Sequence, residues 1–131
     1  PGASILPVTI KYNGIEQVRE VEAALASSIT ESGSDAVIIA SSDMSHYEPR
    51  TTARKKDNMA LQRLLDMDAE GLIEVVEHYG ISMCGYIPAA IMLMSAGRIG
   101  AANCRLVKYS DSGEVTGDTD QVVGYAGMVV Y

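Results

Sequence analysis

Apolar residues run along this chain in two different rhythms. Ile5 to Ile10 and the stretch AVIIA at 36–40 are continuous runs with no polar alternation. Such runs suit parallel strands covered on both faces. Between them, starting at Ile15, residues Val18, Val21, Leu25 and Ile29 recur at helical spacing, with Glu16, Glu20 and Glu22 at solvated positions. KYNG forms a turn before this helix, and SGSD breaks it. The pattern predicts strand, crossover helix and strand, a right-handed βαβ unit.

The second half has a longer period. Leu61, Leu64 and Leu65 mark the inner face of a helix that starts near Thr52. Asp68 is placed to cap a further helix with Leu72, Val75, Val76 and Tyr79 inward, ended by Gly80. Pro88 suits the first turn of another, which carries Ile91, Leu93, Met94 and Ala96 into the core. CRLVKYS and QVVGYAGMVVY read as strands of an antiparallel hairpin, joined by the polar loop DSGEVTGDTD. The expected class is therefore α/β, a mixed sheet flanked by helices.

Composition narrows this picture. A chain of 131 residues supports about one domain, and 47% apolar with 21% charged residues is a globular balance. Phe and Trp are absent, so aliphatic residues, Met, Ala and Tyr must build the core. A net charge of −7 disfavours nucleic acid and anionic membrane as partners. No apolar run approaches the roughly 20 residues of a membrane span, and no signal peptide is visible. Cys84 and Cys104 form no disulfide framework, so a reduced, cytoplasmic setting is expected. The chain opens on Pro1 and Gly2 and enters an apolar run almost at once, which suggests a cut or processed polypeptide.

Two stretches carry candidate chemistry. IIASSDMSHYEP puts three serines, an aspartate and a histidine where the apolar run at 36–40 ends. In open α/β sheets that is where ligands bind. His46 can move protons near neutral pH, and Asp43 is spaced to orient it. The plainer reading is that Ser41, Ser42 and Asp43 turn the chain and cap the next helix. In SMCGYIP, Cys84 lies just before a helix N-terminus, a place that favours thiolate, and Gly85 lets backbone approach closely. A thiolate is a nucleophile or a soft metal ligand, whereas an inert buried cysteine is the plainer reading. Cys104 reads as a small core residue and His78 as a solvated or capping one.

SSDMSHYEP, ISMCGYIPAAIML and VVGYAGMVV, in that order, resemble the three C-terminal signature blocks of the Memo family, also called protein B of the AmmeMemoRadiSam system. ASILPVTI resembles the strand that precedes them. The resemblance implies a three-layer fold similar to class III extradiol dioxygenases, with residues 1–131 as the C-terminal part of a single domain. It implies Cys84 as a metal ligand, His46 and Asp43 as an acid/base pair, and Ser42, Ser45 and Gly85 facing a ligand. It further implies non-haem Fe(II), with copper as a competitor for a site softened by sulfur. The family's two further histidine ligands belong to blocks upstream of ASILPVTI, which this chain does not carry. Alone, the chain is therefore expected to hold metal weakly or not at all. It is expected to associate with the missing N-terminal half or with itself. The function implied is a metal-dependent redox or dioxygenase-like enzyme acting on an unidentified small molecule or peptide. Two readings compete with it: a non-catalytic peptide- or protein-binding module, and a hydrolase using Ser42, Ser45 or Cys84 with His46. The second lacks a Gly-x-Ser-x-Gly elbow.

Overall fold

A computed structural model describes residue 2 and residues 4–33 and 35–131. Ser34, part of the SGSD break, and Pro1, part of the expected chain start, lie outside the described residues. The helices are α1 (Ile15–Ser32), α2 (Arg50–Leu65), α3 (Ala69–Tyr79), α4 (Tyr86–Arg98) and the short α5 (Gly113–Thr116). The strands are β1 (His46–Glu48), β2 (Cys104–Asp111) and β3 (Val122–Val130). They form one antiparallel sheet in the order β1-β3-β2. The fold is mixed α/β, as the sequence predicts.

The core is helical on one side and sheet on the other. α4 carries Ile87, Ala90, Ile91 and Leu93 inward and packs against both α1 and α3, while α2 packs on α3. Leu72 and Leu93 are among the largest fully buried side chains. Asp68 caps α3 through the Gly71 N–H at 2.9 Å, and Gly80 ends it in the left-handed conformation. The hairpin of β2 and β3 forms as expected, with Cys104 opposite Val130 and Asp111 opposite Gly124. Its loop is more ordered than a polar run suggests. Arg50 of α2 donates twice to the buried Asp111 carboxylate, and Arg54 adds a third bond at 3.1 Å. These guanidinium bonds hold the Asp111 carboxyl below the usual carboxylate range.

Several expectations need correction. Neither Ile5–Ile10 nor 36–40 forms a strand, so the predicted βαβ unit is reduced to its helix. A strand needs a neighbour for its N–H and C=O groups. Neither run pairs with one among the described residues, and Ile5, Val37 and Ile39 are 90%, 85% and 84% exposed. Glu22 is not solvated but 3% exposed, because Arg98 of α4 grips both its oxygens and lowers its pKa. Tyr79 faces outward rather than into the core, and its ring meets His78 edge-on. α2 begins at Arg50, two residues ahead of Thr52. Cys104 is only half-buried, at the rim of an open apolar cavity of about 480 Å³ between the 36–40 run, α4 and the sheet.

Candidate functional site

The segment 41–46 and the N-terminus of α4 meet, and Gly85 allows it. A Cβ at this position would lie 2.3 Å from the Ser41 carbonyl oxygen and 2.6 Å from the Ser42 Cβ. Only glycine fits so close an approach. Ser42 Oγ accepts the Gly85 N–H at 2.8 Å, which ties the segment to the start of the helix. Cys84 is thereby set beside the serine–aspartate turn. Its Sγ accepts the Asp43 N–H at 3.2 Å and lies 3.8 Å from Ser42 Oγ.

His46 is oriented by the residue two before Cys84. Its backbone N–H donates to Ser82 Oγ at 2.7 Å. Its Nδ1–H donates to the Ser82 carbonyl, also at 2.7 Å. A carbonyl only accepts, so Nδ1 carries a proton, and Nε2 is the ring atom left facing the cluster. Nε2 lies 3.5 Å from Asp43 Oδ2. One ligand-type atom each from Asp43, His46 and Cys84 lies within 4.8 Å of the others. Cys84 is exposed, while Asp43 and His46 are partly so, leaving the cluster open to solvent on one side.

The backbone carries strain beside this cluster. Tyr47 has φ 55°, the left-handed region that non-glycine residues rarely adopt. It occupies an irregularity where His46 pairs with Val123 but Glu48 with Val122. Such a bulge re-aims a side chain, and the Tyr47 ring is turned out to 73% exposure, 6.1 Å from the His46 ring.

His46, Asp43 and Cys84, expected to share one crevice, are brought together. Ser42 and Gly85 join them, but with their polar groups bonded to each other. Ser45 differs: it is fully buried, and its Oγ has no hydrogen-bond partner among the described residues, so it does not face the open side. His78 is exposed at the end of α3 and belongs to no such cluster. Ser82 and Tyr47 gave no chemical signal in the sequence beyond lying beside Cys84 and His46.

Fold and site together define an α/β protein with a sulfur–imidazole–carboxylate cluster where a loop meets a helix N-terminus. A profile of the Memo-like protein family matches residues 1–129, and the chain belongs to that family. The fold is consistent with the extradiol dioxygenase-like architecture expected of it. The chain is 41% identical over 124 residues to a MEMO1 family protein of Methanopyrus kandleri, covering 95% of this chain and 44% of the relative. A MEMO1 family protein of Methanothermobacter thermautotrophicus is 42% identical over 124 residues, covering 95% and 45%. One from Pyrobaculum aerophilum is 36% identical over 127 residues, covering 97% and 45%. The chain thus spans about half the length of the curated relatives it matches. No helix among the described residues is long and apolar enough to cross a membrane.

Proposed function

We propose that this chain supplies part of the metal site of a dioxygenase-like redox enzyme: Cys84 as a ligand, and His46 with Asp43 as an acid/base pair. The observation that carries the reading is electrostatic. With Nδ1–H committed to Ser82, the His46 Nε2 lone pair, the Asp43 carboxylate and the Cys84 sulfur converge within 4.8 Å. With Cys84 as thiolate, such groups repel one another unless a proton or a cation sits among them. Both answers suit the proposal: a proton held on Nε2 facing Asp43, and a metal ion on the sulfur.

The donor set fits a transition metal, with Cys84 holding it and the open side of the cluster left for substrate. Iron(II) is the proposed metal and copper its competitor, since thiolate favours soft ions. When bound, the metal would supply Lewis acidity and one-electron chemistry. His46 moves a proton at Nε2, and Asp43 stabilises the imidazolium that forms. Ser42 and Gly85 fix the distance between the two halves of the site. The family's ligand set includes two further histidines that neither His46 nor His78 matches, so residues 1–131 by themselves are proposed to bind metal weakly. We place it in the cytoplasm, where its two free cysteines stay reduced. The test is metal analysis and electron paramagnetic resonance on the full-length Methanopyrus kandleri relative. A redox-active metal, lost when the cysteine of the Cys-Gly-x-x-Pro block is replaced, is expected. Stoichiometric protein without any such metal would contradict the reading.

The exposed runs 5–10 and 36–40 and the apolar cavity favour one companion proposal. Unpaired extended backbone with apolar side chains recruits another polypeptide. That polypeptide is one carrying the two missing histidines, or a second copy of this chain. Light scattering behind size exclusion, across dilution, is expected to show association. A cooperatively unfolding monomer at micromolar concentration would contradict it. Peptide binding that ignores chelators would instead favour a binding module.

A further inference from the structure

Residues 43–46 carry two of the site's three ligand-type atoms, yet they precede or barely enter the three-residue strand β1. Something must hold them. Their four backbone N–H groups are all accounted for, and each goes to a different place. Asp43 N–H goes to Cys84 Sγ at 3.2 Å, and His46 N–H to Ser82 Oγ at 2.7 Å. Met44 N–H goes to the Gly124 carbonyl at 2.9 Å, which is ordinary sheet-like pairing. Ser45 N–H goes to Asp57 Oδ1 at 2.8 Å.

Asp57 is the unusual partner. It projects from the middle of α2, is 0% exposed, and gives its second oxygen to the Tyr109 hydroxyl at 2.6 Å. Burial, then the Asp57 bond, push the Tyr109 phenol up, so it remains a donor. β3 makes room for the carboxylate: a Cβ at Gly124 would lie 2.1 Å from Asp57 Oδ2. A buried carboxylate is costly, and an apolar residue would serve packing alone. What an apolar residue lacks is an acceptor for Ser45 N–H, one residue before His46.

We infer that Asp57 is a positioning residue for the site: bridging Ser45 N–H and the Tyr109 hydroxyl, it sets the 43–46 segment so that His46 Nδ1–H reaches Ser82 and Nε2 faces Asp43 and Cys84. It touches no ligand and acts through His46. The significance of the geometry at Nε2 rests on the metal-site reading above, but the anchoring itself does not.

The experiment reads the His46 tautomer by long-range ¹H–¹⁵N correlation in the metal-free 131-residue chain, at alkaline pH where imidazole is neutral. His78, the only other histidine, is the internal control. Wild type should show His46 as Nδ1–H. In Asp57→Ala the Nε2–H form, favoured by free imidazole in water, should become the major species, with His78 unchanged. Asp57→Asn keeps an acceptor at Oδ1 and should restore the wild-type pattern. A purely structural role would lower the melting temperature and leave the tautomer alone. Cobalt(II) binding to Cys84 is measured in parallel at millimolar protein, so that the tautomer readout stays separate from the metal reading. If wild type binds no cobalt at all, the metal reading fails while the tautomer still decides the role of Asp57. A folded Asp57→Ala with wild-type His46 Nδ1–H overturns the inference. If Asp57→Ala does not fold, Tyr109→Phe decides it: releasing Oδ2 should populate both tautomers, and a pure Nδ1–H pattern there would overturn the inference.

Discussion

Residues 36–40 and 43–46 are neighbours in the chain and opposites in fate. The first stretch is wholly apolar, yet Val37 and Ile39 stand in solvent. The second holds an aspartate, a serine and a histidine, yet Met44 and Ser45 are buried and every N–H is bonded. Hydrophobicity alone does not decide which is buried. The polar stretch has partners from three directions: the loop before α4, α2 and β3. The apolar stretch has α4 and the sheet beneath a cavity on one side and no strand beside it. A backbone without hydrogen-bonding neighbours is not made a strand by its side chains.

The contrast can be broken most forcefully in the core. Leu72→Ala, at a fully buried position, should destabilise the chain by about 2–5 kcal/mol, whereas Ile39→Ala should cost less than about 0.5 kcal/mol at dilutions where the proposed association is absent. Urea unfolding measures both. A comparable loss at Ile39 would mean that the 36–40 run is covered in solution.

A smaller effect tests how the polar stretch is held. Gly85→Ala forces a Cβ against the Ser41 carbonyl and should cost about 1–3 kcal/mol, since backbone cannot yield as a side chain can. It should also part Ser42 from the helix start and change the rate at which Cys84 is alkylated, read by peptide mass spectrometry. An unchanged rate would separate Cys84 from the 41–43 turn.

A third prediction concerns acid. The Asp111 carboxyl is lowered in the folded state chiefly by its Arg50 bonds, so its stabilisation is complete above the unfolded carboxylate range, about pH 4. It is lost as pH falls through the lower folded-state value. Asp111→Asn should therefore flatten the acid limb of the stability profile and lower stability at neutral pH. An unaltered acid limb would mean that other carboxylates carry it.

The smallest effect is at Tyr47. Glycine there relieves a left-handed residue at about 1–2 kcal/mol but adds chain entropy of about 0.5–1 kcal/mol. Tyr47→Gly should therefore raise stability by a few tenths of a kcal/mol to about 1 kcal/mol. A clear loss would mean that the exposed ring packs on something in solution.

Much of this was legible in the sequence, and the parts that were not share a cause. Asp68, Gly80, Pro88 and the Val122–Val130 strand are local signals with local consequences, and they fell where spacing put them. His46, Asp43 and Cys84 were expected together at a strand end and a helix start; the helix forms, the strand at 36–40 does not, and the three still meet. The misreadings concern partners remote in the chain. Glu22 is buried because Arg98 reaches it from α4, and Ile5, Leu6 and Val8 are exposed because no strand among the described residues pairs with them. Asp57 gave no signal at all: in a helix of low apolar content it reads as one more solvated acid, and only the approach of Ser45, Tyr109 and Gly124 gives it a role.

The central claim, that Cys84 holds a metal ion beside the His46–Asp43 pair, is tested most directly by cobalt(II) titration of the chain under anaerobic conditions. At millimolar protein even a weak site fills. The account predicts a sulfur-to-cobalt charge-transfer band that vanishes in Cys84→Ala and shifts or weakens in His46→Ala, because the imidazole lies within 4.8 Å of the other groups. A band that survives intact in Cys84→Ala, or one indifferent to His46→Ala, would contradict it.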